Sequence, residues 1–147
     1  MFNRKNTLMM GFDYGTKHIG IAIGQTLTAT ASPLATISVH NQKPDWKHLN
    51  ELIYKWQPQA LIVGLPQHLD GTNSLLTDMV NGFIEELKQR YRLPVHTIDE
   101  TLSSVEAAHK SHQAHQKKDN KNINAIAAQV ILESWIADNC KPTHTYF

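Results

Sequence analysis

Two acidic residues stand where apolar segments of the sequence end. Asp13 lies at the end of the apolar segment 8–14, and Glu100 follows the apolar segment 95–98. If these segments are neighbouring strands near the centre of one sheet, both carboxylates lie at the same edge and repel each other unless a cation neutralises them. Carboxylate oxygens favour Mg²⁺ or Mn²⁺, and such an ion can activate water for attack on a phosphodiester. A structural alternative for Asp13 is to cap the turn at Gly15.

Composition limits the kinds of protein that this chain can be. Its 147 residues are 41% hydrophobic and 18% charged, which is typical of a globular protein, and we expect one domain over 1–147 with an ordered core over about 8–139. The formal net charge of +1 excludes a strongly basic nucleic-acid-binding protein, so any polyanion must meet a local basic patch. With one cysteine and no apolar segment near the roughly 20 residues of a membrane helix, we expect a soluble, cytoplasmic protein.

The apolar pattern predicts an α/β fold whose five-stranded mixed sheet has three antiparallel strands, then parallel strands, and helices on both faces. Strands are predicted over 8–14, 18–24, 31–39, 60–65 and 95–98. Pro33 favours an edge strand or a bulge for the third of them. Helices are predicted to begin after Asp45, over 76–91, from Ser103 or Ser104, and over 123–135. The segment 115–122 contains no apolar residue, which predicts a loop.

Four segments resemble, in order, the motifs of the YqgF family, whose members are described as Holliday-junction-resolvase-like proteins or pre-16S rRNA nucleases. The segments are GFDYGTKHIGIAIGQ from Gly11, IVGLP from Ile62 with DGT from Asp70, DETLSSVEA from Asp99, and INAIAA from Ile123 with ILES from Ile131. The resemblance covers about residues 8–137. It implies a ribonuclease-H-like fold and a metal-dependent nuclease acting on structured nucleic acid, with Mg²⁺ or Mn²⁺ as cofactor. The implied role is 5′-end processing of pre-16S rRNA, and a Holliday-junction-type DNA resolvase is the alternative.

The resemblance also implies three catalytic and metal-binding positions. They fall on Asp13, Glu100 and Asn124, although the family has Asp at the last position. An asparagine can ligate a metal through its carbonyl oxygen, but it brings no charge and cannot act as a base. The spacing of Asn124 from Ala128, Ile131 and Trp135 predicts that these four residues share one helix face and that Asn124 points toward the sheet. Capping that helix is the structural alternative for Asn124.

Four lysines are candidates for contacts with nucleic-acid phosphates. Lys17 comes four residues after Asp13, and the other three lie in the segment just before the predicted final helix: Lys117, Lys118 and Lys121. Such a patch can position phosphates but cannot select a sequence. The structural alternative for the last three is a solvated loop.

Of two other functions, chain length argues against the first, an ATP-binding domain, and the second stays open. The hairpin around Asp13 and Gly20 also resembles the phosphate-binding hairpin of actin-like ATPases, but those enzymes need two lobes and this chain supplies one. Asn124 favours a non-catalytic nucleic-acid or ribosome-assembly binding protein. The tryptophans fit helix stripes and are predicted to pack in the core rather than stack on bases. We expect a monomer or weak dimer, since a branched substrate with two-fold symmetry favours a dimer.

Overall fold

The computed structural model describes residues 7–65, 75–99 and 120–139. Six strands and three helices lie in these ranges. The strands are β1 (Leu8–Tyr14), β2 (His18–Gln25), β3 (Thr30–His40), β4 (Lys43–Pro44), β5 (Ala60–Leu65) and β6 (Val95–Asp99). The helices are α1 (Trp46–Trp56), α2 (Leu75–Tyr91) and α3 (Asn120–Asn139). None of the helices in these ranges is both long and apolar enough to cross a membrane.

The strands form one mixed sheet in the order β4-β3-β2-β1-β5-β6. The first four strands pair antiparallel in succession, while β5 runs parallel to β1 and β6 runs parallel to β5. The predicted arrangement is therefore confirmed, with one strand more than expected. The additional strand, β4, has two residues that pair with Val39 and His40. A strand of this length is too short to show an alternating pattern in the sequence.

Pro33 lies at a bulge in β3, as predicted from its lack of a backbone N–H. Ile21 pairs with Ala35, whereas Ala22 pairs with Pro33, so one residue of β3 has no partner in this pairing. Among the described strands, only β4 pairs with the outer edge of β3, and it does so at the far end from Pro33. A proline cannot donate a ladder hydrogen bond, and this position requires none.

One face of the sheet carries large apolar side chains and packs against α1 and α2. β1 supplies Met10, Phe12 and Tyr14 to this layer, and α1 supplies Leu49. The ring of Phe83 in α2 lies 5.6 Å from that of Phe12 and 5.1 Å from that of Tyr14, measured between centroids. Because side chains alternate along a strand, the intervening residues of β1 face the opposite layer.

The opposite face of the sheet carries small residues and packs against α3. These residues are Gly11, Gly20, Ala22, Gly24, Ala31 and Ala60. The helix contributes Ala128, Ile131 and Leu132, all buried, to this second layer. Helices therefore cover both faces, as predicted, and the small side chains let α3 approach the sheet closely.

The final helix differs from the prediction at both ends. It begins at Asn120 and ends at Asn139, so three residues of the predicted loop 115–122 belong to its first turn. A polar turn at a helix end has no apolar face to bury and leaves no periodic signal. Asn124 is therefore the fifth helical residue, so the structural alternative, in which Asn124 caps the helix, is wrong. The helix predicted from Ser103 or Ser104 lies outside the described residues.

Candidate functional site

Asp13 lies next to the last residue of β1 and is half-buried on the α3 side of the sheet. Its direction follows from Gly11, two residues earlier, where a Cβ would lie 2.8 Å from the Cβ of Leu132 in α3. Residues two apart in a strand face the same side. The fold thus places this carboxylate at an edge of the sheet, under the helix that carries Asn124.

The parallel strands end at the same edge as β1. Phe12 of β1 pairs with Val63 of β5, and Val63 pairs with Thr97 of β6. The next residue of β1, Asp13, is therefore level with Ile98, the next residue of β6. β5 lies between β1 and β6, so the two strands are not direct neighbours and stand about 10 Å apart. Glu100, which follows the last residue of β6, lies outside the described residues. That Asp13 and Glu100 meet at this edge stays a prediction.

Asn124 lies directly above the strand pair that carries Asp13. Gly20 is the partner of Asp13 across the β1–β2 ladder. A Cβ on Gly20 would lie 1.9 Å from the backbone oxygen of Asn124 and 2.8 Å from the backbone nitrogen of Ala125. Both distances are far inside van der Waals contact, so only glycine fits beneath this turn of α3. The structure thus places the backbone of Asn124 over Gly20, the ladder partner of Asp13. In the sequence, Gly20 was noted only as part of a hairpin that resembles a phosphate-binding one.

Small residues elsewhere on the same face hold α3 in this position. A Cβ on Gly24 would lie 2.9 Å from Cδ2 of Leu132 and 2.8 Å from the backbone oxygen of Thr30. Ala128 and Ile131, predicted to share a helix face with Asn124, are fully buried against the sheet. The sequence contains a signal for this close approach of α3: positions 20, 22 and 24, every second residue of β2, are glycine or alanine.

Lys17 is exposed in the turn between β1 and β2, at the same edge as Asp13. Its backbone oxygen accepts a hydrogen bond of 2.9 Å from the backbone nitrogen of Val39, which fixes the turn against the end of β3. Of the other three candidate lysines, Lys117 and Lys118 lie outside the described residues. Lys121 belongs by its backbone to the first turn of α3.

Two further basic side chains, which the sequence reasoning missed, lie beside Lys17. His40 and Lys43 are paired in the β3–β4 hairpin, and both are exposed. The hairpin turns through Asn41 and Gln42, with φ of 52° and 65°. A turn with two left-handed residues and no glycine gives a weak sequence signal. We call Lys17, His40 and Lys43 the basic edge.

The ligands that a divalent metal ion requires can be compared with the residues at this edge of the sheet. Within residues 7–65, 75–99 and 120–139, no three His, Cys, Asp or Glu side chains lie close enough together to hold an ion. Carboxylate and amide oxygens belong to the ligand class that Mg²⁺ and Mn²⁺ prefer. Asp13 and Asn124 carry oxygens of this class, so their donor chemistry fits such an ion, with Glu100 as the expected further ligand.

Comparisons with known proteins agree with this architecture. The family model described as RuvX, Holliday junction resolvase, matches residues 7–138. A Hydrogenovibrio crunogenus protein, named as a candidate pre-16S rRNA nuclease, is 43% identical over 129 residues, which cover 88% of this chain and 92% of that protein. A protein of the same name from Legionella pneumophila (strain Paris) is 45% identical over 129 residues, covering 86% and 93% of the two chains.

A solved structure supports the fold independently of close sequence similarity. The RuvC protein of T. thermophilus, in complex with a Holliday junction substrate, superposes with a TM-score of 0.57 at 13% identity. The superposition covers 92% of this chain and 98% of that one. At this identity the likeness shows the fold alone, and it confirms the ribonuclease-H-like architecture that the sequence predicts.

Proposed function

Because this chain belongs to the RuvX family of Holliday junction resolvases, also called YqgF, we propose that it is a nuclease that hydrolyses phosphodiester bonds in structured nucleic acid. The observation that carries this proposal is the position of Asp13 beneath Asn124, at the edge where β1, β5 and β6 end. The proposed substrate is the 5′ region of pre-16S rRNA in the cytoplasm, since the relatives named above are named for that RNA. Branched DNA is the second candidate, from the description of the family model.

The proposed catalytic and metal-binding residues are Asp13, Glu100 and Asn124. A divalent ion, when bound, supplies Lewis-acid stabilisation of the phosphate and activation of the attacking water. Asp13 provides a charged ligand on a strand that is fixed from both sides by β2 and β5. Asn124 provides a neutral ligand on a helix that cannot shift towards the sheet, because Gly20 already touches it. With two carboxylates instead of three, the site holds a second ion weakly.

Cleavage of two substrates tests the proposed function. The full chain is incubated with a 5′ fragment of precursor 16S rRNA or with a four-way DNA junction, in Mg²⁺, in Mn²⁺ and in EDTA. We expect metal-dependent cleavage of the RNA, with slower or no cleavage of the junction. Faster cleavage of the junction would make branched DNA the substrate. Equal cleavage in EDTA contradicts the metal mechanism, and no cleavage of either substrate contradicts a nuclease.

A third carboxylate at position 124 is expected to strengthen metal binding. We predict that Asn124→Asp lowers the metal concentration for half-maximal cleavage by about tenfold, which corresponds to about 1.4 kcal/mol. The matched control is Asn81→Asp, which adds the same charge at an exposed position of α2 on the other face of the sheet. Activity that appears only in Asn124→Asp would identify the natural chain as a non-catalytic binding protein. An unchanged metal requirement would remove Asn124 from the ligand set.

Lys17 is expected to contribute one phosphate contact. We predict that Lys17→Ala weakens binding of a single-stranded oligonucleotide and makes its salt dependence less steep. The negative slope of the logarithm of the association constant against the logarithm of the salt concentration becomes smaller in magnitude by about 0.7, the value for one phosphate on a single strand. The control is Lys55→Ala, since Lys55 is also exposed but lies in the last turn of α1, at the opposite end of the strands. Equal slopes for the two variants would exclude Lys17 from the binding surface.

A further inference from the structure

A cleft of about 400 Å³ opens at the same edge of the sheet as Asp13, but on the opposite face. It lies between the end of β1, the strand β4, the first turn of α1 and the N-terminal two thirds of α2. Its volume is within the range of pockets that hold small organic groups, roughly 300–1,000 Å³. The residues that matter for its chemistry are Tyr14, Lys43, Trp46, Asp78, Gly82 and Phe83.

Tyr14 brings a buried hydroxyl to the cleft. The residue is only 6% exposed, and its ring lies against that of Phe83. Among the residues that the structure describes, none is hydrogen-bonded to this hydroxyl, and burial alone raises the pKa of Tyr14. Buried polar groups in folded proteins are nearly always hydrogen-bonded, so the hydroxyl is suited to a ligand that can donate or accept.

The wall of the cleft is aromatic and fixed. The ring of Phe83 lies 5.7 Å from that of Trp46 between centroids. The guanidinium of Arg90 lies 4.0 Å from the centroid of the Trp46 ring and pairs with Glu86 at 3.0 Å. Trp46 is therefore held in place before any ligand binds, and a rigid aromatic wall suits a flat ligand.

Gly82 leaves open space at the wall of the cleft. A Cβ at this position would meet no atom within 4 Å. Glycine in the middle of a helix such as α2 is destabilising compared with alanine, and no packing contact requires it here. The space beside it is therefore available to a ligand.

The polar side chains at the rim of the cleft could contact the base edge and the phosphate of a nucleotide. Asp78 offers a hydrogen-bond acceptor and Lys43 a cation, and both are exposed. Nucleobase edges present donors and acceptors together, and phosphates are contacted mainly by lysine and arginine. Lys43 also belongs to the basic edge, which leads past Lys17 to the strand end that carries Asp13.

We propose that this cleft binds an unstacked nucleobase of the substrate strand, whose phosphates lie along Lys17 and Lys43. The base packs against the aromatic wall beside Gly82, and its edge hydrogen-bonds to the Tyr14 hydroxyl and to Asp78. This inference rests on the proposed function, because it places a nucleotide that neighbours the one cleaved at Asp13.

Binding of a fluorescein-labelled decamer of uridine RNA to the full chain, in EDTA, tests the cleft without cleavage. Gly82→Leu fills the open space and is expected to raise the Kd at least tenfold, whereas Gly82→Ala keeps it within twofold of the natural chain. Tyr14→Phe, which removes only the hydroxyl, is expected to raise the Kd about threefold. Thermal melting checks that each variant folds. A Kd for Gly82→Leu within twofold of that for the natural chain overturns the inference.

Two further measurements identify the occupant. The four nucleoside 5′-monophosphates are expected to bind more weakly than the decamer and to shift the NMR amide signals of Gln42, Lys43 and Gly82. Binding as tight as that of the decamer would indicate a site for free nucleotides, which overturns a strand subsite. Shifts of these signals on dilution of the protein alone would place a second copy of the chain in the cleft, which also overturns it.

Failure of base binding in the cleft can be distinguished from failure of the proposed nuclease activity. We expect Asp13→Asn to keep or strengthen decamer binding in EDTA while cleavage is lost, because Asp13 lies on the other face of the sheet. Metal-dependent cleavage by the natural chain, together with an unchanged Kd in Gly82→Leu, would overturn the cleft alone. Cleft-dependent binding with no cleavage would overturn the nuclease alone.

Discussion

Asp13→Asn is expected to lower the rate of metal-dependent cleavage more than about 100-fold and to leave the fold intact. The substitution preserves size and removes the charge of a carboxylate that is half-buried at the end of β1. Loss of even an outer partner of a metal site costs about 10–100-fold in metal affinity or activity, so loss of a direct charged ligand exceeds this. The measurement is the single-turnover rate on the RNA fragment at fixed Mg²⁺, with circular dichroism to confirm folding.

The control for this prediction is the same chemical change at Asp138. That residue is exposed at the far end of α3, away from the edge that carries Asp13. A carboxylate near a helix C-terminus is slightly unfavourable, so Asp138→Asn keeps the cleavage rate and does not lower stability. A rate for Asp13→Asn within threefold of that of the natural chain would show that Asp13 takes no part in the reaction.

Gly20→Ala is expected to impair both stability and cleavage. The new Cβ would lie 1.9 Å from the backbone oxygen of Asn124, and neither backbone can yield without moving α3 or β2. Overpacking of this kind costs about 1–3 kcal/mol, and contact with backbone rather than side chain places the cost at the upper end. Since α3 must move away, Asn124 also leaves its place above Asp13, and cleavage falls even where the protein is folded.

Urea unfolding measures this effect, with Gly82→Ala as its matched control. Gly82 lies in the exposed part of α2 with open space around it, so alanine there raises the free energy of unfolding by roughly 0.5–1 kcal/mol. Glycine to alanine is thus expected to change the free energy of unfolding in opposite directions at Gly20 and Gly82. If Gly20→Ala is as stable as the natural chain, α3 does not lie as close to β2 as described.

Much of the fold follows from local patterns in the sequence. The strands around Phe12, Ile21 and Val63 were predictable because their apolar residues recur or run together, and Pro33 marked the bulge by its chemistry. The two-residue strand β4 and the first turn of α3 were not predictable. Both are short and polar, and tertiary pairing rather than any local periodicity determines them.

The site was predictable only in part. The sequence indicated Asp13 because a charge at the end of an apolar strand is unusual, but local patterns say nothing about which strand lies between β1 and β6. The role of Gly20 depends on a contact with Asn124, 104 positions later in the chain, which no local pattern contains. His40 and Lys43 reach the same edge only through the pairing of β3 with β4.

We propose that Asp13 and Asn124 hold a divalent ion at one edge of the sheet, and Mn²⁺ binding tests this most directly. Paramagnetic Mn²⁺ broadens the NMR amide signals of residues close to it. With substoichiometric Mn²⁺, we predict selective broadening of Asp13, Gly20 and Asn124 in the natural chain, and loss of this broadening in Asp13→Asn. Broadening centred elsewhere, or unchanged by Asp13→Asn, would contradict the proposed metal site.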